Sequence, residues 1–158
     1  MNKFLKLLLV FLGIRAFASC DSLPPAKVEY GVPYASYEIK GRVTDADGNP
    51  IKGIKVDMLS EYDVDSAGNI TLYPFYSEED VLTDESGRFH VRNGDFPSDS
   101  LSVGFSDIDG AENGGEFATK VITKAVEQVE EGSGNWDKGV FVVPGEVEVV
   151  MDLKKEEE

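Results

Sequence analysis

Cysteine occurs once in this chain and histidine once, and each scarcity removes a class of chemistry. A lone thiol cannot close an internal disulfide, and no second cysteine or histidine cluster lies near it to share a metal. The three closely spaced cysteines that hold a catalytic iron–sulfur cluster are missing as well. A Ser–His hydrolase would need His90 beside a serine on a G-x-S-x-G elbow, and no such elbow occurs. Cations are scarce too: 15 Lys and Arg stand against 30 Asp and Glu, a formal charge of −15 over 158 residues. A surface of that sign repels nucleic acid and anionic headgroups, which are bound through clustered Lys and Arg. Solubility is the plain reading of the acidity; calcium or a cationic partner is the sharper one. Paired carboxylates carry little information about acid–base catalysis in so acidic a chain. Apolar runs are short, and none reaches the roughly 20 residues of a spanning helix.

What is present begins with the position of the cysteine. Lys3 and Lys6 open the chain, Leu7 to Ile14 form an apolar core, and Ala18-Ser19 are small residues before Cys20. Charge, length and ending are those of a secretory signal over residues 1–19. With its cut just before a cysteine, "FLGIRAFASCDS" resembles the lipobox of bacterial lipoproteins. A plain secretory signal with an incidental cysteine and a retained membrane anchor are the alternatives. The lipobox resemblance implies that Cys20 is the lipid attachment site and the mature N-terminus. Its acyl chains would hold the protein to a membrane of the bacterial cell envelope, at the outer membrane or cell surface ahead of the periplasmic face. Loss of 19 residues from 158 leaves 139, enough for one domain. Three cations and no anion leave with the signal, so −15 becomes −18.

Residues 20–34 read as a tether, because Pro24, Pro25 and Pro33 disfavour helix and extend the chain. From Ala35 the apolar residues recur with period two. Tyr37, Ile39 and Val43 alternate with Glu38, Lys40 and Arg42; Ile54, Val56 and Met58 alternate with Lys55 and Asp57. Ile70 and Leu72 with the aromatics Tyr73, Phe75 and Tyr76, then Phe89 and Val91, then Leu101, Val103 and Phe105 follow, with His90 on a polar face as a surface, pair-forming residue. Residues 118–129 fit a helical stripe and a strand alike, and the strand is taken because every neighbour is a strand. Val147, Val149, Met151 and Leu153 form the last alternation before a charged tail at 155–158. Acidic, glycine-bearing turns separate these segments. About seven short strands of this kind predict an all-β, antiparallel β-sandwich over residues 35–154.

"YEIKGRVTDADGNPIKGIKV" followed by "TDESGRFHV" resembles the carboxypeptidase-regulatory-like domain, a transthyretin-type β-sandwich, with Asp45, Gly48, Pro50, Gly53, Thr83, Gly87 and Phe89 at its marked places. The lipobox, "YGVPYASYEIKG", "SDIDGAENGGEFATK" and "GNWDKGVF", in that order, resemble the radical-SAM-associated lipoprotein family of Gram-negative gut bacteria. That resemblance covers the mature chain and implies a fold, an address and a radical-SAM enzyme as genetic neighbour, but no reaction and no cofactor.

The remaining candidates are acidic loops. Asp63, Asp65, Gly68 and Ile70 sit at EF-hand positions, but Ala67 and Pro74 occupy the fifth and twelfth. Asp107, Asp109, Asn113 and Glu116 offer oxygens suited to calcium without that spacing, so they are a candidate partner or ligand loop and not a metal site. Turn formation by Asp and Asn explains both loops more simply. Asp21-Ser22-Leu23, Asp65-Ser66-Ala67 and Asp99-Ser100-Leu101 resemble a bacterial O-glycosylation acceptor. The expectation is a non-enzymatic, membrane-anchored envelope module that meets a protein or glycan partner. The alternative is a substrate or accessory of the neighbouring radical-SAM enzyme. Replacing Cys20 by Ala should leave the precursor uncut and abolish incorporation of labelled fatty acid; label persisting on the Cys20→Ala protein would remove the lipobox reading.

Overall fold

The computed structural model describes residues 31–77 and 79–154. The signal segment, Cys20, most of the tether and the tail at 155–158 lie outside the described residues. The described chain forms nine strands and no helix: β1 (Tyr34–Thr44), β2 (Ile54–Val64), β3 (Ile70–Pro74), β4 (Arg88–Asp95), β5 (Ser100–Asp107), β6 (Lys120–Ala125), β7 (Glu127–Glu131), β8 (Asp137–Val142) and β9 (Val147–Val150).

The first sheet is assembled on β1. Its burial alternates almost without interruption, as period-two sequence requires. One edge of β1 takes β4 in antiparallel register from Ala35↔Asp95 to Arg42↔Arg88. The other edge takes two strands in succession, both parallel: β8 beside Tyr34–Glu38 and β9 beside Gly41–Thr44. The chain jogs between them at Pro144-Gly145, and Val143 N–H donates to the Glu38 carbonyl at 2.9 Å. β7 completes this sheet outside β8. The second sheet, in the order β3-β2-β5-β6, is wholly antiparallel.

The two sheets share one core. Tyr37, Ile39, Val43, Phe89, Val91, Val147 and Val149 from the first sheet meet Ile54, Val56, Met58, Leu101, Val103 and Phe105 from the second. Phe89 and Phe105 pack edge to face across the interface, with ring centroids 5.4 Å apart. Burying each such side chain stabilises by about 1.5–3 kcal/mol. Polar groups drawn inside are satisfied. Thr83 Oγ1 donates to the Ile51 carbonyl and accepts from Ile54 N–H, fixing the start of β2. The Tyr37 hydroxyl accepts from Ser98 N–H and donates to the Phe96 carbonyl. Burial pushes the Tyr37 phenol up, against the opposing Ser98 bond.

Three expectations are corrected. The sheets are not purely antiparallel, because β1 is flanked by β8 and β9 in parallel. Residues 118–129 are not one strand: the chain leaves the second sheet after β6, and Val126 N–H donates to the Asp99 carbonyl before β7 joins the first sheet. That split, with β8, raises seven strands to nine. Leu153 does not continue the inward alternation of Val147, Val149 and Met151; it is 61% exposed, because the chain has left β1 and bridges to Phe117.

Gly41 marks a close approach between β1 and β9. A methyl group there would collide with the Val147 carbonyl oxygen and press within 2.9 Å of the Phe89 ring. Gly41→Ala should therefore cost about 1–3 kcal/mol, the usual penalty of overpacking. Gly31→Ala, in open space, should change stability by less than about 0.5 kcal/mol. Chemical denaturation of the mature protein measures both, and equal midpoints would contradict the close approach.

Candidate functional site

Three of the turns are copies of one device. In Asp45-Ala46-Asp47-Gly48-Asn49 the Asp45 carboxylate accepts from the N–H groups of Asp47 and Asn49 and from the Asn49 amide at 2.8–2.9 Å. Asp65 repeats every one of these bonds with Ala67 and Asn69, and Asp84 repeats the backbone pair with Ser86 and Arg88. Gly48, Gly68 and Gly87 all take positive φ, 84°, 90° and 73°. This is the left-handed position that closes the turn and that side chains avoid. Asp65 of the EF-hand-like stretch is thus a turn residue, while Asp63 accepts from the Tyr73 hydroxyl at 3.2 Å.

The loop after β5 is built in the same way. Asp107 Oδ1 accepts from Asp109 and Gly110 N–H, and Oδ2 accepts from Phe117 N–H at 2.8 Å. The Asn113 amide donates to Asp109 Oδ2 at 2.6 Å. Asp109 Oδ2 also lies against the open side of Gly53. Asp107, Asp109 and Asn113 are therefore brought into one network. Glu116 is not; it pairs with Lys154 at 2.7 Å. Among the described residues no group of three or more His, Cys, Asp or Glu is arranged to hold a metal ion. The four candidate side chains close a loop and tie it to β2 and to the chain end.

The other concentration of charged groups lies on the outer face of the first sheet. Alternation puts Glu38, Lys40 and Arg42 of β1 on the face opposite the core, and β4 sets Arg92, His90 and Arg88 directly across from them. Arg42, Arg88 and Arg92 are three of the four arginines of the whole chain, the fourth being Arg15. At one end, Glu38 is engaged twice, by His90 Nε2 at 2.9 Å and Arg92 Nη2 at 2.8 Å. Partial burial opposes ionisation of Glu38, but the His90 and Arg92 interactions together outweigh it and hold its carboxyl below the usual range. At the other end Lys40 faces His90, and Arg42 faces Arg88. Neither Lys40, Arg42 nor Arg88 forms an ion pair among the described residues; Arg42 Nε donates to the Ser86 carbonyl. Like charges directly opposite across strands destabilise a sheet by a few tenths to about 1 kcal/mol.

Two open grooves border this face. One, of about 450 Å³, is lined by Ser36, Glu38, Arg92, Asn93 and Glu130. The other, of about 420 Å³, is lined by Lys40, Arg88 and His90, with Leu82, Asp84 and Glu146 at its sides. Comparison with protein-family models, curated proteins and solved structures finds no match for this chain.

Sequence reasoning singled out the carboxylate loops and passed over this face. Half of its signal was legible, since Lys40 and Arg42 alternate with core residues, as do Arg88, His90 and Arg92. The other half was not, because β1 meets β4 across some fifty residues of intervening chain.

The turn aspartates set a pH dependence. The Asn49 amide holds the Asp45 carboxyl below the usual range, the Asn69 amide does so for Asp65, and the Arg88 backbone N–H for Asp84. A carboxyl depressed in the folded state stabilises fully above its unfolded value of about 3.9, and loses that contribution as pH falls through the folded value. Urea midpoints should therefore be level near pH 6 and fall below about pH 4. Asp84→Asn, which keeps the turn acceptor without the charge, should flatten that fall; an unchanged acid slope would contradict the assignment.

Proposed function

We infer that this protein is a lipid-anchored envelope module that binds a partner through the outer face of β1 and β4, without chemistry of its own. The observation that carries the reading is the concentration of Lys40, Arg42, Arg88, His90 and Arg92 on one exposed face of an otherwise acidic protein. Such clustering has an electrostatic cost within the fold, and an opposite charge brought from outside would offset it. The loop carboxylates, by contrast, are already engaged by backbone N–H groups, side-chain amides and Lys154. The lipobox-like segment supports acylation at Cys20, and two sheets packed on one core support a transthyretin-type, carboxypeptidase-regulatory-like sandwich. The address is the bacterial envelope, at the outer membrane or cell surface.

The intact mass of the mature protein isolated from its native host tests this reading. The expected mass is that of residues 20–158 with acyl groups, and with sugar where the Asp-Ser acceptors are used. An additional mass change, mapped to a loop and lost when the neighbouring radical-SAM gene is deleted, would instead make the protein that enzyme's substrate.

A further inference from the structure

We propose that the β1–β4 face is a binding site for an acidic carbohydrate, one that carries a carboxylate or sulfate among neutral sugar hydroxyls. This rests on the reading of that face as the partner site and gives the partner's chemistry. Lys40, Arg42, Arg88 and His90 occupy a two-by-two array of strand positions on this face, their backbones about 5 Å apart across the strands and about 6.7 Å apart along them. No carboxylate of the described residues pairs with Lys40, Arg42 or Arg88 within 4 Å. An anionic group seated there would meet two guanidinium forks and an ammonium, the donors best suited to a planar or tetrahedral oxyanion.

The lining of the grooves decides what else the ligand carries. Beside the array, Glu130 and the lone pairs of Glu38 not taken by His90 and Arg92 supply acceptors, the Arg92 N–H groups not on Glu38 supply donors, and Ser36 supplies a hydroxyl that does both. Sugar hydroxyls need donors and acceptors side by side, and this groove is lined by both. Leu82 gives the cationic groove an apolar wall for a ring face. A uniformly anionic partner fits less well. An acidic peptide or an anionic bilayer laid on this face would meet Glu38, Glu130, Asp84 and Glu146 as well as the cations. A ligand with one anion among several neutral polar groups places its charge on the array and its hydroxyls on the mixed groove.

The test uses the full mature protein in detergent micelles and titrates four probes: oligosaccharides of alternating uronate and neutral N-acetyl sugar, neutral dextran, polyglutamate, and glycerophosphoglycerol, the soluble headgroup of phosphatidylglycerol. The expected result is binding of the uronate oligosaccharide that weakens as salt is raised, with none of dextran. Lys40→Gln with Arg88→Gln should weaken it at least tenfold, while Lys124→Gln, on β6 of the other sheet, leaves it unchanged. Melting of the double variant should be equal or higher, since opposed like charges are relieved. If it melts lower, the charge-conserving pair Lys40→Arg and Arg88→Lys must retain binding. Binding that survives the double variant, or that dextran equals, overturns the proposal. Binding of polyglutamate alone, lost in the double variant, overturns the carbohydrate while keeping the face as a partner site, and binding of glycerophosphoglycerol alone, lost in the double variant, overturns it in favour of a membrane headgroup. Binding of none of the four overturns the carbohydrate and the partner site together.

Discussion

The first sheet depends on the double occupancy of one edge of β1. Eleven residues of strand are long enough to pair β8 along the first half and β9 along the second. Both are parallel to β1 and far from it in sequence, so every hydrogen bond they make with β1 closes a loop of about a hundred residues. Loop closure of that length carries an entropic cost that grows only slowly with length, but it must be met before the contacts form. The close approach of β9 is possible because position 41 has no side chain. Val147 and Val149 then enter the core from the last strand, and Met151 follows once the chain turns back onto Thr44. Without that edge the core would lose its closing wall.

A second regularity separates the two kinds of charge. Much of the acid in the turns is architectural: Asp45, Asp65, Asp84, Asp107 and Asp137 each accept two or more hydrogen bonds from neighbouring residues and hold a turn or loop closed. These bonds hold the carboxyls of Asp45, Asp65, Asp84 and Asp137 below their usual range, so ionisation and folding favour one another. The cations are distributed differently. Lys52, Lys120 and Lys154 answer single acids at the surface, worth little each in solvent, while Lys55 meets both Asp57 and Asp80. The three arginines of the described residues gather on one face, where Arg92 pairs with Glu38 while Arg42 and Arg88 stand opposite each other across β1 and β4. A net charge of −15 therefore describes the molecule poorly at the scale on which ligands bind.

Read as a sequence, the chain already declared most of its strands, most of their inward residues and its turns, because each is a local property. Period-two alternation named Tyr37, Ile39, Val43, Ile54, Val56, Met58, Phe89, Val91, Leu101, Val103, Phe105, Val147 and Val149 as core, and all are buried. The Asp-x-x-Gly spacing named turns whose bonds lie within five residues. The lipobox-like segment is equally local. What only the tertiary structure decided is non-local: that β8 and β9 share an edge of β1 in parallel, that the stretch after Ala118 divides between two sheets at Val126, and that Arg42 stands opposite Arg88. Alternation tells which face a side chain occupies but not which strand lies beside it. Strand pairing is set by the fit of distant segments on a common core, and a cationic face made from two strands exists only once they have met.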